Sequence, residues 1–169
     1  MVAKVLKIKE DGTTVWKKRY PQHGELTDIA VTTDGYFLSG HKESFKGGID
    51  GSITKISPNG LVIWNKVFGN PEGGTNNFFS DYIVSNELIF DECWSIANMN
   101  NSGVVVACGT GIEECDTLRG QKRRDCEKDP RQTWRSYLVN INFDGDIMWE
   151  KTGSFAVSYT HLTLPTTLV

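Results

Sequence analysis

The stretch Ile56-Ser-Pro-Asn-Gly60-Leu-Val-Ile-Trp64-Asn-Lys66 decides the fold, because its pattern occurs three times. It aligns without gaps with Ile8-Lys-Glu-Asp-Gly12-Thr-Thr-Val-Trp16-Lys-Lys18 and with Ile141-Asn-Phe-Asp-Gly145-Asp-Ile-Met-Trp149-Glu-Lys151. Each copy has Ile eight residues before Trp, Gly four before it and Lys two after. An apolar segment ends in a turn whose Gly can take positive φ without strain, and a second apolar segment follows with Trp at a fixed place. The unit reads as a β-hairpin.

A second hairpin alternates with the first. Asp28-Ile-Ala-Val-Thr-Thr-Asp-Gly35-Tyr-Phe-Leu-Ser-Gly40 and Trp94-Ser-Ile-Ala-Asn-Met-Asn-Asn-Ser-Gly103-Val-Val-Val-Ala-Cys108-Gly109 both read as strand, Gly turn, strand, and both contain Ile-Ala. Two hairpins make a four-stranded antiparallel unit. The Trp spacings of 48 and 85 residues then describe one compact repeat and one enlarged by insertions. A four-stranded sheet of about 40–50 residues is the size of a propeller blade. The expected fold is all-β, a partial β-propeller of about two and a half blades. Residues 1–23 are read as the C-terminal half of a blade, 24–69 as a complete blade, and 70–153 as a complete blade with insertions at 70–91 and 111–134. The runs Leu61-Val-Ile-Trp64 and Val104-Val-Val-Ala107 are apolar at consecutive positions, which predicts strands covered on both faces.

With Gly35-Tyr-Phe-Leu-Ser-Gly40, Gly51-Ser-Ile-Thr-Lys-Ile56 and Asn59-Gly60-Leu-Val-Ile-Trp64-Asn-Lys-Val-Phe-Gly69, the chain resembles the repeat of secreted β-propellers of bacteria and unicellular eukaryotes. That group is placed loosely with quinoprotein-like propellers carrying Gly-x-x-x-Trp repeats. The resemblance covers roughly residues 4–153. It implies that Trp16, Trp64 and Trp149, with Gly12, Gly60 and Gly145, are structural and dock neighbouring blades. The Ala and Asp that precede the Gly in quinoprotein repeats are absent here, which weakens the link to that enzyme family.

A net charge of −3, with lysine and arginine scattered among the acids, provides no field that would favour nucleic acid. No run of about 18 apolar residues is present to span a membrane. The start, MVAKVLKIKEDG, lacks the apolar core of a secretory signal. Residues 154–169 break the repeat, and 157–169 resemble a peptide translated from adapter or vector DNA, so this tail is expected to be non-native. A partial propeller leaves the faces of its end sheets uncovered, and association is the expected consequence.

Cys93, Cys108, Cys115 and Cys126 all fall in the enlarged unit. Their spacings of 15, 7 and 11, with no C-x-x-C and no histidine nearby, do not suit structural zinc. Four cysteines allow three pairings, and four reduced thiols are the plain alternative. The favoured pairs are Cys93 with Cys108, which flank the turn at 100–103, and Cys115 with Cys126, which bracket a polar insertion. Disulfides imply an oxidising compartment. The sequon Asn100-Asn101-Ser102 sits in an expected exposed turn, making Asn100 a glycosylation candidate. Together they place the chain outside the cell or in the secretory lumen.

No catalytic constellation emerges. His23 and His41 lack an accompanying nucleophile motif, Gly47-Gly48 and Gly73-Gly74 precede no helix, and Asn142-x-Asp144-x-Asp146 lacks the glycine and distal Glu of a calcium loop. The basic stretch Arg119–Arg131 is diluted by acids and reads as a solvated loop. Glu25, Asp28, Asp91 and Glu92 lie where blade entry would meet a central channel, although solvated acids or turn residues are the simpler reading. No metal site and no cofactor are implied. The preferred function is a binding or structural module whose partner is a protein or glycan, besides the remaining blades of the same chain. The alternative is a fragment of a cofactor-dependent, quinoprotein-like or hydrolytic propeller enzyme with its site in missing blades.

Overall fold

The structure is a computed structural model and describes residues 2–43, 49–69, 90–99, 102–111 and 135–156. Ten strands follow one another: β1 (Ala3–Ile8), β2 (Thr14–Tyr20), β3 (Glu25–Thr32), β4 (Gly35–Glu43), β5 (Ile49–Ile56), β6 (Val62–Phe68), β7 (Phe90–Asn98), β8 (Val104–Gly111), β9 (Arg135–Ile141) and β10 (Ile147–Ala156). The chain is all-β, with no helix among the described residues.

Strands pair in the order that they are made. β1 and β2 form a two-stranded sheet. β3 to β6 form one antiparallel meander and β7 to β10 a second. One parallel pairing, Ile49 at the start of β5 with Phe90 at the start of β7, links the meanders. The unit read as 24–69 therefore holds four strands, and the enlarged unit holds four more. Pairing in the second meander continues past residue 153, since Ala156 still opposes Arg135.

The three copies of the repeated turn are made identically. In each, the first residue's N–H bonds a carbonyl four residues on and its carbonyl receives the glycine N–H. These are Lys9 with Thr13 and Gly12, Ser57 with Leu61 and Gly60, and Asn142 with Asp146 and Gly145. The glycines have φ of 82°, 72° and 93°, the left-handed conformation that closes a turn and bulge of this kind. Side chains reinforce all three: Asp11 Oδ1 accepts from Thr13 N–H, Ser57 Oγ accepts from Leu61 N–H, and Asn142 Oδ1 accepts from the N–H groups of Asp144 and Asp146. Asn142 is thus a turn residue.

Opposed residues of an antiparallel ladder share a face, and the two faces of β3–β6 are both buried in their middle. On one, Ala30, Phe37, Ile53 and Phe68 pack in a core with Cys93, Ile96, Val104, Val106, Val139 and Ile141 of the second meander. On the other, Leu38 and Ile56 pack with Tyr20, supported by Val5 and Trp16 of the first hairpin. The expectation of coverage on both faces holds for Val104, Val105 and Val106, which are all buried. It fails for Leu61, Val62 and Ile63, which are exposed by 61%, 42% and 53%. The reason is topological: they enter β6, which pairs only with β5, so solvent reaches that edge. Consecutive apolar residues there do not mark a sandwiched strand.

Candidate functional site

The repeated Trp docks one hairpin onto the glycine turn of the next unit. Trp16 Nε1 donates to Pro58 O at 3.1 Å, and Trp64 Nε1 donates to Phe143 O at 3.0 Å. Both acceptors lie two residues before the turn glycine. A lysine from the adjacent strand donates to the same oxygen: Lys7 Nζ to Pro58 O at 3.5 Å and Lys55 Nζ to Phe143 O at 3.2 Å. The carbonyl of the glycine itself also accepts a bond, from Tyr20 Oη at 2.9 Å for Gly60 and from Lys66 Nζ at 2.6 Å for Gly145. Indole and turn are in van der Waals contact. A Cβ at Gly60 would lie 3.2 Å from the Trp16 ring and 3.0 Å from Tyr20 Oη, and one at Gly145 would lie 3.2 Å from the Trp64 ring. Edge-on aromatic contacts brace each indole, Trp16 against Tyr36 and Trp64 against Phe37.

The ends of the series differ. Trp149 is 38% exposed and carries Lys151 Nζ 5.9 Å from its ring centroid. Among the described residues beyond its chain neighbours, no atom lies within 4 Å of where a Cβ would stand at Gly12. Cys93 and Cys108 oppose each other across the β7–β8 hairpin and are joined by a disulfide, with Cα atoms 3.9 Å apart. Cys115, Cys126 and Asn100 lie outside the described residues, as do the basic stretch and residues 157–169.

The first strands of the two meanders, β3 and β7, are joined by side chains rather than by a ladder. Asp28 accepts from Ser95 Oγ at 2.9 Å and from Ile96 N–H at 3.0 Å, and Thr27 Oγ1 donates to Cys93 O at 2.7 Å. Asp28 is therefore a strut between units, not a solvated acid. Both strands carry a register shift beside these contacts, between Leu26 and Asp28 and between Cys93 and Ser95. Lys55, which no sequence argument singled out, lies buried between units and pairs with Asp34 at 2.8 Å. That lysine, with a bond from Thr32, holds the Asp34 carboxyl below its usual range.

The two ends of the sheets are unlike. Tight turns bounded by residues 8–14, 32–35, 56–62, 98–104 and 141–147 close one end. The opposite end is where β4 stops and β5 starts, where β6 stops and β7 starts, and where β8 stops and β9 starts. The connections spanning 44–48, 69–89 and 112–134 all leave from there. Glu25, His41, Asp50, Asp91 and Glu92 belong to the same end. Asp91 and Glu92 are buried, contrary to the reading of them as solvated acids, and burial raises the Asp50 carboxyl. A Cβ at Gly69 would lie 2.6 Å from Asp91 Oδ2 and 3.4 Å from Asp50 Oδ1, so these two acids flank that glycine. Tyr137 Oη, buried beside them, contacts Gly69 O at 3.1 Å and donates to Glu150 Oε1 at 2.5 Å. Burial first, and then the Glu150 carboxylate, raise its phenol. His41 approaches Glu25 Oε2 at 3.6 Å and packs edge-on to Trp94. Among the described residues no group of three acids, histidines or cysteines is arranged to hold a metal ion.

The chain matches no protein-family model and no curated protein.

Among the described residues, His23 is the histidine whose ring nitrogens contact hydroxyls. Its Nδ1 lies 2.5 Å from Ser52 Oγ and its Nε2 2.8 Å from Thr54 Oγ1. A ring protonated on Nδ1 satisfies the set: it donates to Ser52 and accepts from Thr54, whose oxygen accepts from Asn65 Nδ2. Ser52, Thr54 and His23 are fully buried, so no substrate reaches this pair and it is a packing element, not a nucleophile with its base. Burial, with His41 and Lys42 adding charge repulsion, lowers the ring pKa from 6.5 to about 4. The folded state thus disfavours the proton that the unfolded chain accepts. The part of the stability that His23 governs is complete above pH 6.5 and is lost as pH falls toward 4, by a total on the order of 3 kcal/mol. In urea titrations the wild type should lose that much more than His23→Gln between those pH values. Parallel pH profiles for the two proteins would contradict the assignment.

Proposed function

We propose that the chain forms about two and a half blades of a β-propeller and acts as a binding module in an extracellular or secretory-lumen setting. The segments 70–91 and 111–134 supply the recognition surface for a protein or glycan. The supporting observation is the division of labour between the sheet ends: one end is closed by repeated glycine turns, and every long connection leaves from the other. Loops set on one rim of a rigid sheet stack are where binding residues accumulate. The buried Cys93–Cys108 disulfide supports the oxidising location. The histidine bonded to a serine hydroxyl among the described residues is sealed in the core, which takes that pair out of a substrate's reach.

The test is a thermal-shift screen of the protein with pyrroloquinoline quinone and with divalent cations, beside a variant in which a short Gly-Ser link replaces 112–134. The binding module predicts no shift with either additive and a melting temperature little changed by the replacement. A saturable shift with the quinone or a cation would put a cofactor-dependent enzyme in its place.

A further inference from the structure

The same contact is built twice inside the chain, and its two halves stand open at opposite ends. Within the chain, Trp16 docks on the Gly60 turn and Trp64 on the Gly145 turn. The donor half recurs at Trp149 and Lys151, the acceptor half at Glu10 and Gly12. Exposure shows that both halves are uncovered. Ile8, in a strand that pairs only with β2, is 56% exposed, whereas Ile56 and Ile141, its counterparts in strands flanked on both sides, are completely buried. Among the described residues no atom lies within 4 Å of a Cβ built at Gly12, whereas one at Gly60 or Gly145 would touch an indole.

We propose that the protein associates head to tail with a second copy of itself, Trp149 of one copy docking on the Gly12 turn of the next. The internal contacts specify the geometry. Trp149 Nε1 donates to Glu10 O, as Trp16 does to Pro58 O and Trp64 to Phe143 O. Lys151 leaves its own Trp149 ring and donates to Gly12 O, as Lys66 donates to Gly145 O. Ile8 loses part of its exposure on docking, as Ile56 packs beside Trp16 in the internal contact. The carboxylates of Glu10 and Asp11 sit in the acceptor turn, where an incoming ammonium is favourable. The contact uses different patches on the two copies, so it propagates until a ring closes or the ladder runs on. Asn140 stands where Lys7 and Lys55 stand in the other copies of the motif, so the shared oxygen receives one charged donor fewer. The intermolecular contact should accordingly be reversible, unlike the internal ones. The proposal rests on the docking geometry and is independent of any ligand.

The test uses two variants at exposed positions, Trp149→Ala to remove the donor and Ile8→Lys to remove the acceptor, each checked for the wild-type β circular-dichroism spectrum. Sedimentation of the wild type should show mass rising with concentration above the 18.9 kDa monomer. Each variant alone should stay monomeric. An equimolar mixture should form heterodimers and nothing larger, since it contains one intact donor and one intact acceptor. A wild type that stays monomeric over the whole concentration range would overturn the proposal. So would association that survives both substitutions, or a mixture that stays monomeric.

Discussion

Replacing Trp64 by alanine lowers the unfolding free energy by about 3 kcal/mol, while the same replacement at Trp149 costs under about 1 kcal/mol. The two residues occupy the same place in the repeat, and the difference comes from what lies beyond them. Trp64 fills the space over Gly145, bonds Phe143 O and braces Phe37 within the main core. Its removal opens a cavity between two four-stranded units and forfeits one hydrogen bond. Phe143 O keeps Lys55 as a donor, so the loss stays below the upper range for a buried tryptophan. Trp149 has solvent and a lysine beside it. Urea titration followed by far-ultraviolet circular dichroism reads both, with Trp149→Ala measured at a concentration where the wild type is monomeric. Equal losses at the two positions would mean that the repeated Trp stabilises its own hairpin, and the docking account would be wrong.

The double variant Cys93→Ala/Cys108→Ala is expected to lose about 3 kcal/mol, the loop-closure figure for a separation of 15 residues. Both sulfurs are buried against Phe68 and Tyr137 in the main core, so shrinking them adds a smaller packing loss. The measurement is urea denaturation of the variant against the oxidised wild type, with non-reducing peptide mapping to show a Cys93–Cys108 linkage. An unchanged midpoint, or peptides linking either residue to Cys115 or Cys126, would contradict the arrangement.

The all-β class was legible because the glycine turn and the Trp recur at fixed spacing, and each copy makes the same local hydrogen bonds. Local chemistry suffices for a hairpin. The opposition of Cys93 and Cys108 was legible for a similar reason, since both lie within one hairpin and flank its turn symmetrically. Partners across units were not legible. Asp28 lies 67 residues from Ser95 and 68 from Ile96 along the chain, and nothing in its neighbours marks it as a strut. Lys55 reads as an ordinary strand lysine until Asp34 and Phe143 O come to surround it. A signal for it did exist: Lys7 precedes Ile8 as Lys55 precedes Ile56, and both donate to the oxygen that receives the indole. His23 offered no signal, because its burial depends on Ser52 and Thr54 of a later strand. The apolar run Leu61–Ile63 misled because patterning reports coverage only where a neighbouring strand or sheet supplies it, and β6 lies at an edge.

The docking of each indole on the next glycine turn is the central claim, and the exchange rates of the indole N–H protons test it most directly. They are best followed by nitrogen-15 resonance in the Ile8→Lys chain, which cannot stack on itself. The protons of Trp16 and Trp64, bonded to Pro58 O and Phe143 O, should exchange slowly, and that of Trp149 should exchange at the rate of a free side chain. Uniformly fast exchange at all three would contradict the account.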